Sequence, residues 1–155
     1  MTLSNIEKAI DVRVPVRTAY NQWTQFEDFP RFMDGIKEVK QLDDKRLHWR
    51  SSVGGKEREW DAVITEQIPD ARIAWRSIEG TNNSGVVTFH RVADDTTRVM
   101  LQMAYEPQGF TENAADAIGL VDRSVESSLQ SFKKFIEESG GETGAWRGEI
   151  PQDKK

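Results

Sequence analysis

One long amphipathic helix closes this chain after a run of strand-like segments, and that order constrains the fold more than any single motif. Spacings of three and four align Ile118, Val121, Val125, Leu129, Phe132 and Ile136 into an apolar stripe over Glu112–Ser139. Ahead of it, alternation of apolar and polar residues marks a first strand ending at Val14 and six further strands between Ile36 and Glu106. Two short helical stretches, Arg17–Thr24 and Phe29–Met33, separate the first strand from the others. An antiparallel sheet with one apolar face needs that face covered, and only one long helix is available. A single helix does not fill the concavity of a curved sheet of six or seven strands. The order therefore predicts an α+β fold with a cavity between sheet and helix, and such cavities take up small apolar molecules.

Alternation also assigns the faces. Ile6, Ile10, Val12 and Val14 share one face of the first strand, and Ile36, Val39 and Leu42 mark a less regular second. Leu47, Trp49, Ser51 and Val53 form the inner face of the third strand, and Arg58, Trp60, Ala62 and Ile64 that of the fourth. Ile73, Trp75 and Ser77 follow on the fifth, Val87 and Phe89 on the sixth, and Val99, Leu101, Met103 and Tyr105 on the seventh. Gly54-Gly55 suits a two-residue hairpin, because glycine tolerates positive φ. Asp43-Asp44-Lys45, Pro69-Asp70-Ala71 and Asp94-Asp95 read as turns, Glu79 to Ser84 as a loop, and Pro107 and Gly109 as a stop. Residues 1–140 read as one domain and residues 141–155 as a polar tail. Gly140-Gly141 suits a helix C-cap, and Trp146 and Ile150 are apolar enough to fold back onto the body while the last few residues stay disordered.

Composition excludes several classes of function. The chain has no cysteine, which removes disulfides, thiol nucleophiles and thiolate metal sites together. A net charge of -5 opposes binding to nucleic acid or to anionic membrane surfaces. No signal peptide and no membrane-spanning run is visible, so the expected location is cytoplasmic. His48 and His90 fall on the outer face, opposite the tryptophans, and neither forms a metal-ligand spacing with nearby carboxylates. No phosphate-binding glycine loop or serine nucleophile motif appears. No cofactor and no metal are expected, and a homodimer is compatible with the pattern.

The stretch IAWRSIEGTNNSGVVTFHRVADDTTRVMLQMAYEP through the final helix resembles the polyketide cyclase/dehydrase-like branch of the START-related (SRPBCC) superfamily, and so does PVRTAYNQWTQFEDFPRFMDGIKEV after the first strand. The resemblance covers roughly residues 4–140. It implies the helix-grip fold, with Phe29-Pro30-Arg31-Phe32-Met33 as a short helix beside the cavity mouth. It leaves function open, because relatives bind, carry or cyclise different ligands.

The candidate ligand-binding residues are Trp49, Ser51, Arg58, Trp60, Trp75, Ser77, Phe89, Met103, Tyr105 and Ile118. The tryptophans read as core, as an aromatic wall for a planar or polyprenyl ligand, or as both. Small residues line the first half of the last helix at Ala114, Ala115, Ala117, Gly119 and Ser124. Gly119 costs about 1 kcal/mol relative to alanine, and the small side chains leave either loose packing or room for a ligand. Arg58 points inward if alternation holds and could orient a ligand oxygen, or it could reach past the rim to an acidic neighbour. Arg58 and Tyr105 are the candidate catalytic residues if chemistry occurs. Three functions compete: a carrier or sensor of a small hydrophobic ligand, a polyketide cyclase, aromatase or dehydrase, and a stress-associated interaction module. The last requires an exposed apolar patch, expected near Phe26, Phe29 and Phe32.

Overall fold

The alternating segments pair as one antiparallel sheet in the computed structural model of the protein, which describes residues 4–33, 35–53, 56–79, 83–105, 114–139 and 141–150. The strands are β1 (Ser4–Val12), β2 (Ile36–Gln41), β3 (Arg46–Val53), β4 (Lys56–Ile68), β5 (Arg72–Glu79), β6 (Asn83–Ala93) and β7 (Thr96–Tyr105). They lie in the order β1-β7-β6-β5-β4-β3-β2. From β2 to β7 the sheet is a meander, and β1 closes against β7. The sheet curls around α2 (Ala114–Glu138) in the helix-grip arrangement, while α1 (Val16–Trp23) and a 3-10 helix (Phe26–Arg31) connect β1 to β2.

Leu42 apart, the face assignments hold wherever side chains are described. Leu47, Trp49 and Ser51 on β3, Ala62 and Ile64 on β4, Ile73 on β5, Val87 and Phe89 on β6, and Val99 and Leu101 on β7 are all buried. Among the described side chains of α2 the buried positions are Val125, Leu129, Phe132 and Ile136, the later part of the expected stripe. Four expected features lie outside the described residues: the Gly54-Gly55 turn, the stop at Pro107 and Gly109, the helix start at Glu112, and the C-cap glycine Gly140. So do the last residues of the tail.

Three expectations need correction. Leu42 does not belong to β2 and is 54% exposed. The Asp43 carboxylate accepts the Lys45 and Arg46 backbone N–H groups at 2.8 Å each, so the turn begins before the strand can reach Leu42. The loop expected from Glu79 to Ser84 is shorter, because Glu79 lies in β5 and Asn83 and Ser84 in β6. The apolar patch expected at Phe26, Phe29 and Phe32 is not exposed, since all three are buried at 5%, 2% and 2% exposure. The Phe29 and Phe32 rings pack edge-on or tilted onto Trp23, Phe132 and Trp49, with centroids 5.2–6.3 Å apart, and Phe26 packs edge-on against Phe29 at 5.3 Å, so burial of aromatic area wins over display.

The tail does fold back. Ile150 is 4% exposed and exchanges both backbone hydrogen bonds with Gln67 at 2.8 Å. This pairing occupies β4 where it runs beyond the end of β3. Thr143, Trp146 and Arg147 bond the buried polar residues Gln22, Thr24 and Asn21 of α1 and its C-cap. Asn21 and Gln22 are therefore interior residues whose amides are answered by the tail.

On the outer face His48 is bracketed by carboxylates, with Nδ1 2.6 Å from Asp61 and Nε2 3.0 Å from Glu59. These hydrogen bonds, Asp61 first, raise its pKa above the ordinary histidine value. A histidine whose folded pKa exceeds its unfolded one contributes stability that is complete below about pH 6.5 and is lost as pH rises through the folded pKa. The pair is surface-exposed, so the gain is below about 1 kcal/mol. Urea denaturation of the protein and of His48→Gln should show a stability gap at pH 6 that narrows as the pH rises through the folded pKa of His48. A gap that widens with pH would contradict the assignment.

Candidate functional site

Two halves of the concave face differ in packing. Around the second half of α2, Trp23, Phe29, Phe32, Phe89 and Phe132 form a continuous aromatic cluster. Phe132 lies 5.4 Å from Trp23 and 5.2 Å from Phe32, and Phe89 lies 6.5 Å from Trp23 and 5.4 Å from Tyr20. All these side chains are at most 5% exposed. Burial raises the Tyr20 phenol above its usual range. Phe89, a candidate ligand contact, thus lies in the packed half.

The other half is looser. Register aligns Ile6, Met103, Gly85, Trp75 and Ile64 in one row across five strands. Within it Met103 and Trp75 are only half-buried against the core, and Ser77 is also half-buried. Trp49 joins the two halves. It packs on Phe29 at 5.7 Å and stacks on Trp60, its cross-strand partner, at 6.0 Å with the rings 4° from parallel. The next inward pair is Ser51, buried, opposite Arg58, half-buried. Tyr105 lies on β7 and Ile118 on α2, but their side chains are outside the described residues, as are those of Ala114, Ala115, Ala117 and Gly119.

Ion pairs fix how α2 lies along the sheet. Lys8 reaches Asp122 at 2.9 Å and Glu126 at 3.5 Å. Lys133 bonds the Asp11 carbonyl at 3.0 Å, and the Arg13 N–H bonds Glu137 at 2.7 Å. Residue numbers rise together along β1 and α2, so the N-terminal half of the helix lies beside the Ile6 end of the sheet. That is the end where Met103 and Trp75 are half-buried. The hydrogen bond to Asp122, and then charge attraction to both carboxylates, raise the Lys8 pKa.

Two residues of this region were not singled out from the sequence. Lys8 sits between Ile6 and Ile10 on the inner face, and that break in alternation was a signal for a partner on the helix. Gly85 lies under the Trp75 ring, and a Cβ there would stand 2.6 Å from a ring carbon. Glycine inside a strand marks such a close approach. The outward placement of both histidines is as expected, with His90 exposed and bonded to Thr88 at 3.0 Å. Asp61 and Glu59 engage opposite nitrogens of His48, so this trio does not converge on one point. Among the described residues no cluster of three or more metal-ligating side chains occurs, and no helix is long and apolar enough to cross a membrane.

Comparison with known proteins agrees with this fold. The profile of the family described as polyketide cyclase / dehydrase and lipid transport matches residues 12–134. An uncharacterized 17.2 kDa protein from the melC2-rnhH intergenic region of Streptomyces lincolnensis is 54% identical over 149 residues, covering 96% of this chain and 99% of that one. A START superfamily protein from Mycobacterium smegmatis has the same fold, with a TM-score of 0.78 at 14% identity over 87% of this chain and 98% of that one. The Zhui aromatase/cyclase from Streptomyces sp. R1128 superposes with a TM-score of 0.74 at 14% identity, covering 90% of this chain and 99% of that one.

Proposed function

This chain belongs to the polyketide cyclase/dehydrase and lipid-transport family, and on that premise we propose that it binds a small hydrophobic ligand as a carrier or sensor, between the concave face and the N-terminal half of α2. The observation that carries this reading is the contrast between the two halves of the face. Large side chains that could be buried by better packing, Trp60, Trp75 and Met103, are left half-buried, while the other end is filled by aromatic rings. Burying the remaining apolar surface of three such side chains against a ligand is favourable at about 25 cal/mol per Å². Tyr105 and Ile118 complete the lining in this proposal.

A second reading, ring closure of a poly-β-ketone, is favoured by the Ser51–Arg58 pair on the same face, which offers polar groups beside the aromatic wall. Native mass spectrometry of the purified protein, followed by titration of tryptophan fluorescence with a panel of apolar dyes and quinones, tests binding. A bound small molecule or saturable quenching is expected. No co-purifying mass and no displaceable binding across the panel would sink the proposal. If a poly-β-ketone is turned over, Arg58→Ala should slow the turnover and leave dye binding within about threefold.

A further inference from the structure

The tail is held by a different chemistry from the body it rests on. Of residues 141–150 only Ile150 is buried, and Trp146 packs partly buried against the core. The rest of the contact is polar. Glu142 accepts from the Asn21 amide at 2.8 Å. Thr143 exchanges hydrogen bonds with the Gln22 amide at 2.9 and 3.1 Å and donates to Asp28 at 2.6 Å. The Trp146 N–H donates to the Thr24 hydroxyl at 3.0 Å. Arg147 bonds Asn21 at 2.5 Å, pairs with Asp70 at 2.8 Å and lies over the Tyr20 ring at 5.5 Å. Water satisfies such amides, hydroxyls and carboxylates as well as the tail does, so each bond adds little net stability. Gly141, Gly144 and Gly148 lie in the same segment, and ordering glycine costs more backbone entropy than ordering any other residue. The closed contact is also imperfect. The Tyr20 hydroxyl and the Gln67 amide lie close enough to interact, yet they and one Asp70 oxygen are enclosed without a full hydrogen bond.

We propose that residues 141–150 are a strap that opens and closes as a unit while the sheet and α2 stay folded. Opening lets water reach the groups that the closed strap encloses, and it uncovers little apolar surface besides Ile150 and Trp146. It also bares a strand edge. β3 pairs with β4 only as far as Val63, so on that side the Gln67 backbone meets Ile150 alone, through two hydrogen bonds of 2.8 Å. An unpaired edge is a template for another strand, and the closed strap denies it to any other.

Native-state hydrogen exchange on the full chain, read amide by amide, tests the strap. The Gln67 and Ile150 amides report its opening, and those of β7, which lies between β1 and β6, report unfolding of the domain. After correction for intrinsic rates, Gln67 and Ile150 should exchange about a hundredfold or more faster than the slowest β7 amides. The two should agree within about threefold, because one opening frees both. Urea below the unfolding transition should hardly change their rates but should speed the slowest β7 amides, since only the latter need a large surface exposed. Phe132→Ala separates the two events again. It weakens the open and closed forms alike, so Gln67 and Ile150 should stay within about twofold while the slowest β7 amides speed up about a hundredfold or more. The urea series on the unaltered protein decides the matter if that variant does not fold. Gln67 and Ile150 exchanging at the β7 rate, and following it in urea, would mean that the tail melts only with the whole domain, and the proposal falls. Exchange of both at nearly the intrinsic rate would mean that no closed strap exists, and the proposal falls equally.

Discussion

Replacing Phe132 by alanine should lower the unfolding free energy by about 3–5 kcal/mol, the range for truncating a buried aromatic ring. The side chain is fully enclosed and touches the rings of Trp23 and Phe32 at 5.4 and 5.2 Å. Those neighbours are held from several sides, Trp23 by Phe29 and Phe89 and Phe32 by Phe29 and Phe135. The hole left by Phe132 therefore cannot collapse readily, which places the cost toward the upper part of the range. Thermal unfolding should shift down by roughly 10 °C, at about 2–4 °C per kcal/mol for a chain of this size. The affinity for an apolar dye should change little, because this ring belongs to the packed half of the face. A loss below about 1.5 kcal/mol by urea denaturation, or a collapse of dye binding at temperatures where the variant is folded, would show that the two halves are not separate.

Gly85→Ala should have the opposite profile. Its backbone is not among the described positive-φ positions, so alanine fits the conformation and would by itself stabilise by about 0.4–1 kcal/mol through the unfolded state. Against that, the new Cβ would lie 2.6 Å from one Trp75 ring carbon, 3.0 Å from a second and 3.2 Å from the Gln102 carbonyl oxygen. Overpacking costs about 1–3 kcal/mol, so the clash wins and a net loss of about 1–2 kcal/mol follows. The rigid indole must lift off β6, which displaces part of the proposed ligand wall. Dye affinity should fall about tenfold, equivalent to about 1.4 kcal/mol. An unchanged dye affinity in a folded Gly85→Ala protein would remove Trp75 from the site.

Local sequence carried the strand faces because alternation is a local property. From Leu47 to Ser51, and again from Val99 to Leu101, every second residue is buried, and one apolar set per strand leaves little choice of face. The same rule fails where the strand itself is irregular. In β4 the pairing shifts between Ile64 and Glu66, and the bulge turns Gln67 inward to 1% exposure, where unbroken alternation places Glu66. A bulge is set by pairing with neighbouring strands and leaves no reliable trace in the residues that form it.

The site divides in the same way. That Trp49, Trp60 and Trp75 lie on one face followed from their spacing alone, and so did the outward histidines. The chain order by itself determined that one helix must cover one curved antiparallel sheet, because apolar faces have to be buried and no other long element exists. Three matters were decided only by tertiary structure: that Phe89 fills the packed half with Tyr20 and Trp23, that Phe26, Phe29 and Phe32 turn inward, and that Asn21 and Gln22 are buried beneath the tail. Each depends on contacts between residues far apart in the chain, such as the pairing of Gln67 with Ile150. Local pattern fixes which way a side chain points, but what it meets there is fixed by the packing of elements that the pattern does not connect.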